Sequence, residues 1–230
     1  MPFDGFRTEL ITFLKELGAN NNREWFQAHR SDYENYLLEP AREFVLAMGE
    51  CLPKLGENIH AEPKIHGSIF AINRDTRFSS DKTPYKTYVD LWFWQGNGPS
   101  RERPGYFFRL MPESLVLGAG MHGFSPAALE RYRQAVVDPA RGAKLEAVAE
   151  ALNKQAGVEL GGRTYKRVPA GLPADHSRAD WLRHSSLYAA SELALPAADK
   201  VFSDQLPGLC FEHYARFAPL QQWLVDLLPE

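Results

Sequence analysis

The sequence predicts an α+β fold from three features. Helical periodicity fills roughly the first sixty residues, the apolar period shortens between about residues 65 and 122, and helical patterning returns beyond residue 124. The middle region holds short aromatic and branched runs with no helical pattern between them. An antiparallel sheet of about four strands is therefore expected, with an N-terminal helical layer and C-terminal helices. The 230 residues, 44% hydrophobic and 12% aromatic, are enough to bury a full core. No repeat, low-complexity tract or long linker divides them, so residues 1–230 are expected to form a single domain.

Phe6, Leu10, Phe13, Leu14 and Leu17 recur at spacings of three and four, which draws one helical face, and Gly18 stands where a left-handed cap is wanted. Asn22 is suited to cap a second helix, along which Trp25, Phe26, His29, Tyr33, Tyr36 and Leu37 form an aromatic stripe. Pro40 suits the first turn of a third helix that buries Ala41, Phe44, Val45, Met48 and Leu52. The runs HGSIFAIN, KTYVDLWFWQ, GYFFRLM and SLVLGAGM read as the four strands, the last two joined by the hairpin-sized MPES. Ser125 and Pro126 mark the next helix start, and a further helix ends at Gly157. A loop-rich segment is expected from Gly161 to about Leu187. The chain then closes in helix from Leu195, with Phe211, Tyr214, Phe217, Leu220 and Leu224 on a stripe that Pro219 breaks only mildly.

A net charge of −3 gives no global field for gathering a polyanion, so any such partner must be met by a local patch. Cys51 and Cys210 are far apart and lack zinc-type spacing, which fits reduced thiols in a cytoplasmic protein. No stretch approaches the roughly 20 apolar residues of a membrane helix. No metal site and no cofactor are expected, because none of the seven histidines forms a convincing ligand pair. Nothing in the sequence fixes an oligomeric state.

The local patch is residues 73 to 87, NRDTRFSSDKTPYKT. Here Arg74, Arg77, Lys82 and Lys86 face only Asp75 and Asp81, for a net charge of +2. Two guanidiniums three residues apart are able to converge on one phosphate or carboxylate through forked hydrogen bonds, Lys82 and Lys86 add point charges, and Tyr85 adds a hydroxyl donor. Arg109 and His122, from later strands, are the other candidate ligand-binding residues. Three roles remain open. The loop binds a small phosphorylated or carboxylated ligand. It cleaves or transfers a phosphoester, with Arg74 and Arg77 stabilising developing charge, Asp75 or Asp81 as base or metal ligand, and Tyr85 or His122 as acid. Or it is a structural or partner-binding element whose arginines pair with their own carboxylates. Convergence of the cations on one concave pocket separates the first two from the third.

FDGF, NNNREWF, RDTRFSSDKTPYKT and GAGMHGFSP together resemble the bacterial domain-of-unknown-function family numbered 2461, over nearly the whole chain. The resemblance supplies positions rather than an activity: Arg74, Asp75, Arg77, Phe78, Asp81, Lys82, Pro84, Tyr85 and Lys86 match the family pattern. That pattern has a further arginine three residues before Arg74, where this chain has Ala71.

GAGMHG, residues 118 to 123, satisfies the dinucleotide fingerprint literally, with Asp138 about twenty residues on. The fingerprint needs a parallel crossover with its third glycine inside the first turn of a helix, and Phe124, Ser125 and Pro126 put the helix start too late. The glycines are instead expected to allow close packing. Arg163, Tyr165, Lys166 and Arg167, with Trp181, Arg183 and His184, form a second basic cluster that suits either a nucleic-acid groove or solvated loop charge.

Overall fold

The computed structural model describes residues 2–195 and 199–228. Four helical segments come first: α1 (Thr8–Ala19), α2 (Arg23–Ala28), α3 (Arg30–Asp32) and α4 (Glu39–Cys51), with a π-helical turn, Tyr33–Leu38, joining the last two. Asn22 caps α2 as its chemistry suggests, its side chain accepting the Trp25 amide at 2.9 Å. Gly18 is not a cap, because α1 continues through it to Ala19 and ends on Asn20.

The sheet has five strands rather than four: β1 (Val89–Trp94), β2 (Gly105–Leu110), β3 (Ser114–Met121), β4 (Val158–Arg163) and β5 (His184–Ala194). Their spatial order is β1-β2-β3-β5-β4, and every neighbouring pair is antiparallel. Two corrections to the sequence reading follow. Residues 66–73 form no strand: His66 takes a left-handed φ of 67°, and the segment pairs through isolated bridges, Ile69 with Ile65 and with Leu91 and Asn73 with Tyr85, and through scattered backbone hydrogen bonds such as Phe70 to Asp90. Conversely, the region expected to be loop contributes to β4 and β5. Leu160 and Ala189 lie opposite one another there, while Gly162, at φ 115°, lies at the register break.

Helices α5 (Pro126–Val137) and α6 (Pro139–Asn153) connect β3 to β4, and α7 (Leu206–Val225) follows β5. Ser125 caps α5 through the Ala128 amide, and Asp138 caps α6 by accepting from Ala140 and Arg141. Residues 196–198, at the start of the closing segment expected to be helical, and residues 229–230, at its end, lie outside the described residues.

Strand alternation gives the sheet two faces. The inner face carries Leu91, Phe93, Phe108, Leu115 and Leu117, all fully buried with Tyr214, Phe217 and Leu220 of α7 and Phe44 of α4. Each such side chain contributes about 1.5–3 kcal/mol by leaving water. Polar pins fix α7 in place: the Tyr214 hydroxyl donates to the Phe107 carbonyl at 3.1 Å, and Ser191 of β5 bonds His213 Nδ1 at 2.9 Å. With the inner face filled, the outward residues of β1 to β3 are left to build a site.

Candidate functional site

Asp90 and Trp92 point outward from β1, and the register sets Arg109 opposite Asp90 and Phe107 opposite Trp92 on β2. Arg109 Nε and Nη2 donate to the two Asp90 oxygens at 2.7 and 2.9 Å, a forked ion pair whose carboxylate side chain is only 7% exposed. The same guanidinium lies 4.2 Å over the Tyr88 ring and 5.2 Å from that of Phe107. On β3 the outward position opposite Phe107 is Gly118, with Val116 opposite Arg109 and Gly120 beyond, so no side chain rises directly beside Phe107. His122 continues that outward series, set edge-on to Phe107 at 5.3 Å and tilted against Tyr188 at 4.6 Å. The result is a hollow of about 480 Å³ over the sheet, walled chiefly by Phe70, Trp92, Arg101, Phe107, Arg109 and His122.

A second hollow of about 450 Å³ adjoins it, sharing Phe70, Trp92 and Arg101 and adding His66, Ala71, Asn73, Arg74, Asp75 and Lys86. The Lys86 ammonium sits 5.1 Å over the Phe70 ring. Burial holds this amine below the ordinary lysine value; Asp90 partly offsets the effect, and Arg109 and Arg101 add to it. Neither Lys86 nor Arg101 has a carboxylate within ion-pair distance among the described residues. The Trp92 indole is fixed as a shared wall by donating to the Ser100 carbonyl at 3.0 Å.

Of the nine sequence-predicted site residues, Arg74, Asp75 and Lys86 line the second hollow, while Arg109 and His122 line the first. The remaining four are turned elsewhere. Arg77 forks onto Asp75 at 2.9 and 2.7 Å on the open surface, beside a Phe78 that is 96% exposed. Lys82 donates to the Thr76 carbonyl at 2.8 Å. Asp81 receives Thr83 and Arg74, and Arg74 also reaches the Thr83 carbonyl and hydroxyl. Tyr85 is 5% exposed and stacks on Phe26 at 4.2 Å, with its backbone tied on both sides to the Asn21 amide. Hydrogen bonds from Arg77 lower the Asp75 pKa to about 2, and those from Thr83, then Arg74, lower Asp81 to about 2.

The site also contains residues that the loop motif does not mark: Phe70, Asp90, Trp92, Arg101 and Phe107. Asp90 and Arg109 carried a readable signal, since each is the sole charge inside an otherwise apolar strand and their signs are opposite. Arg101, in the polar turn GPSRERPG, carried none. Ala71 opens into the same hollow as Lys86.

The second basic cluster is largely self-paired. Arg183 donates to Asp180 at 2.7 Å and to the carbonyls of Tyr165 and Lys166, and Arg163 lies 3.6 Å from Asp180. In GAGMHG, residues 118 to 121 belong to a strand that pairs antiparallel on both sides, so no parallel crossover begins there.

Burial is the largest cause holding three imidazoles, His122, His184 and His213, below the ordinary histidine value of about 6.5. The unfolded chain therefore binds protons that the folded chain refuses. Stability should be complete above about pH 6.5 and should fall as pH drops through that value. Asp75 and Asp81 act only below about pH 4, outside this window. Urea midpoints at pH 7.5 and 5.5 check this, and an equal or higher midpoint at 5.5 would show that these rings titrate as if in water.

Among the described residues no helix is long and apolar enough to cross a membrane, and no group of three or more histidine, cysteine or acidic side chains is placed to hold a metal ion. A search of curated proteins finds no match to the chain. A family model described as a conserved hypothetical protein (DUF2461) matches residues 9–223, covering the helical layer, the whole sheet and nearly all of α7, and the chain belongs to that family.

Proposed function

We propose that the protein binds a small phosphorylated or carboxylated ligand in the outer-face cleft, with Lys86 and Arg101 as the anion's partners and Arg109, Arg74 and His122 at its edges. The observation that carries this reading is Lys86: a half-buried ammonium whose charged form is disfavoured by desolvation and by two neighbouring guanidiniums, only partly offset by Asp90, with no carboxylate at ion-pair distance among the described residues. An anion seated between Lys86 and Arg101 relieves all three penalties. Arg109 is already neutralised by Asp90, so its part is to hold the wall. The same cleft contains an imidazole kept neutral near pH 7 by its depressed pKa. His122 is thus suited to accept a proton, which supports phosphoester cleavage or transfer as the second reading.

The test is a thermal-shift screen of phosphate, sulfate, sugar phosphates and dicarboxylates against a sodium chloride control of equal ionic strength. It compares the parent with Lys86→Gln and Arg77→Ala. Ligand at 100 times its dissociation constant stabilises by about 2.7 kcal/mol. The shift should survive Arg77→Ala, whose target pairs with Asp75 at the surface, and vanish in Lys86→Gln. Loss in Arg77→Ala with retention in Lys86→Gln would move the site to the loop tip and sink this assignment. No shift with any anion would remove it altogether.

A further inference from the structure

The two hollows differ in chemistry, and the difference describes the ligand. The hollow around Lys86 gathers most of the polar groups, Asn73, Arg74, Asp75, His66 and Arg101, beside Ile69, Phe70, Ala71 and Trp92. Its neighbour is walled by flat groups: the Phe70 and Trp92 rings, the Phe107 ring, and the His122 imidazole edge-on to it. These surfaces are held in place before any ligand arrives. The Trp92 indole is bonded to the Ser100 carbonyl, Phe70 lies under the Lys86 ammonium, and Phe107 is braced by the Arg109 guanidinium, itself fixed by Asp90.

Resting on the anion-site reading above, we infer that the ligand is a phosphate joined to a planar ring, with the phosphate at Lys86 and Arg101 and the ring against Phe107 and Trp92. Inorganic phosphate alone leaves the aromatic hollow wet and unused, whereas an apolar molecule alone leaves the half-buried ammonium unpaired. A planar ring meets both the flat walls and the guanidinium beside them, and Phe70, Trp92 and Arg101, common to both hollows, form the passage that a linker must cross. Nucleotides and aryl phosphates share this chemistry.

Titration calorimetry on the intact chain separates the possibilities, with inorganic phosphate, ribose 5-phosphate, phenyl phosphate and AMP as probes. AMP or phenyl phosphate should bind at least about 10-fold tighter than ribose 5-phosphate and inorganic phosphate, the gain expected of one stacked ring. Which of the two gains more identifies the nucleobase or the simple aryl group as the ring. Phe107→Leu, which keeps the bulk and removes the flat face, should bring that ratio to within about 3-fold. Equal binding of ringed and ringless phosphates by the parent protein overturns the inference and leaves the anion site standing. Failure of every phosphate to bind overturns both. The comparison within the parent decides the matter even where the variant folds poorly.

Discussion

Replacing Arg109 with alanine should lower the folding free energy by about 3 kcal/mol, measured as the urea midpoint and slope at pH 7.5. Asp90 is 7% exposed and both of its oxygens are taken by Arg109, so removing the guanidinium strands a carboxylate among Trp92, Phe107 and Phe70. The lower end of the range for broken buried pairs applies because Arg109 keeps 34% of its side chain in water. Part of the loss is packing, since the guanidinium also covers the Tyr88 and Phe107 rings. Replacing both partners, Asp90→Leu with Arg109→Leu, should recover most of the stability, because no unpaired charge remains. The double variant should bind anions less well than the parent if the arginine braces the wall. A single-variant loss below about 1 kcal/mol would mean that water reaches Asp90 and that the pair behaves like a surface ion pair.

Much of this architecture was legible because its causes are local. Asn22 and the Ser125–Pro126 pair cap helices through bonds to amides three residues away, and their starts are visible in the sequence. The error at residues 66–73 has a local cause of another kind. Ile69, Phe70 and Ile72 look like strand residues, but the left-handed backbone at His66 and the tight packing at Gly67 break the extended run before it can pair regularly. β5 was missed because HSSLYAASELA is poor in branched residues. Its small Ala189 and Ala190 are favoured only by the close approach of Gly118 and Ala119 on β3, which lie some seventy residues away.

The candidate site divides in the same way. The charge of residues 73 to 87 was readable, but the direction of each side chain was not. Asp75 captures Arg77 two residues on, and Asp81 captures Arg74 from seven residues away, so the densest part of the motif largely satisfies itself. Alternation carries the useful distinction. Lys86 shares its parity with Asp90 and Trp92 and faces the cleft, whereas Tyr85 shares that of Leu91 and Phe93 and is buried.

The glycines at 120 and 123 should respond to alanine in opposite ways. At Gly120 the backbone φ is 140°, and an added Cβ would lie 2.3 Å from the Leu187 carbonyl oxygen and 2.5 Å from the Tyr188 Cα. Neither neighbour is the free end of a flexible side chain, so β3 and β5 must separate, and Gly120→Ala should cost at least about 3 kcal/mol from strain and overlap together. Gly123 has no atom within 4 Å of an added Cβ, and Gly123→Ala should stay within about 0.5 kcal/mol of the parent. Urea unfolding of the two variants measures the contrast. It also bears on the motif, because a glycine-rich turn kept for phosphate approach would need Gly123, whereas a strand kept for close pairing needs Gly120. Separation of the strands at Gly120 also displaces Tyr188, which packs against His122, so any folded Gly120→Ala protein should bind ligand more weakly. Equal, small losses at both positions would mean that β3 and β5 are not held as closely as 2.3 Å implies.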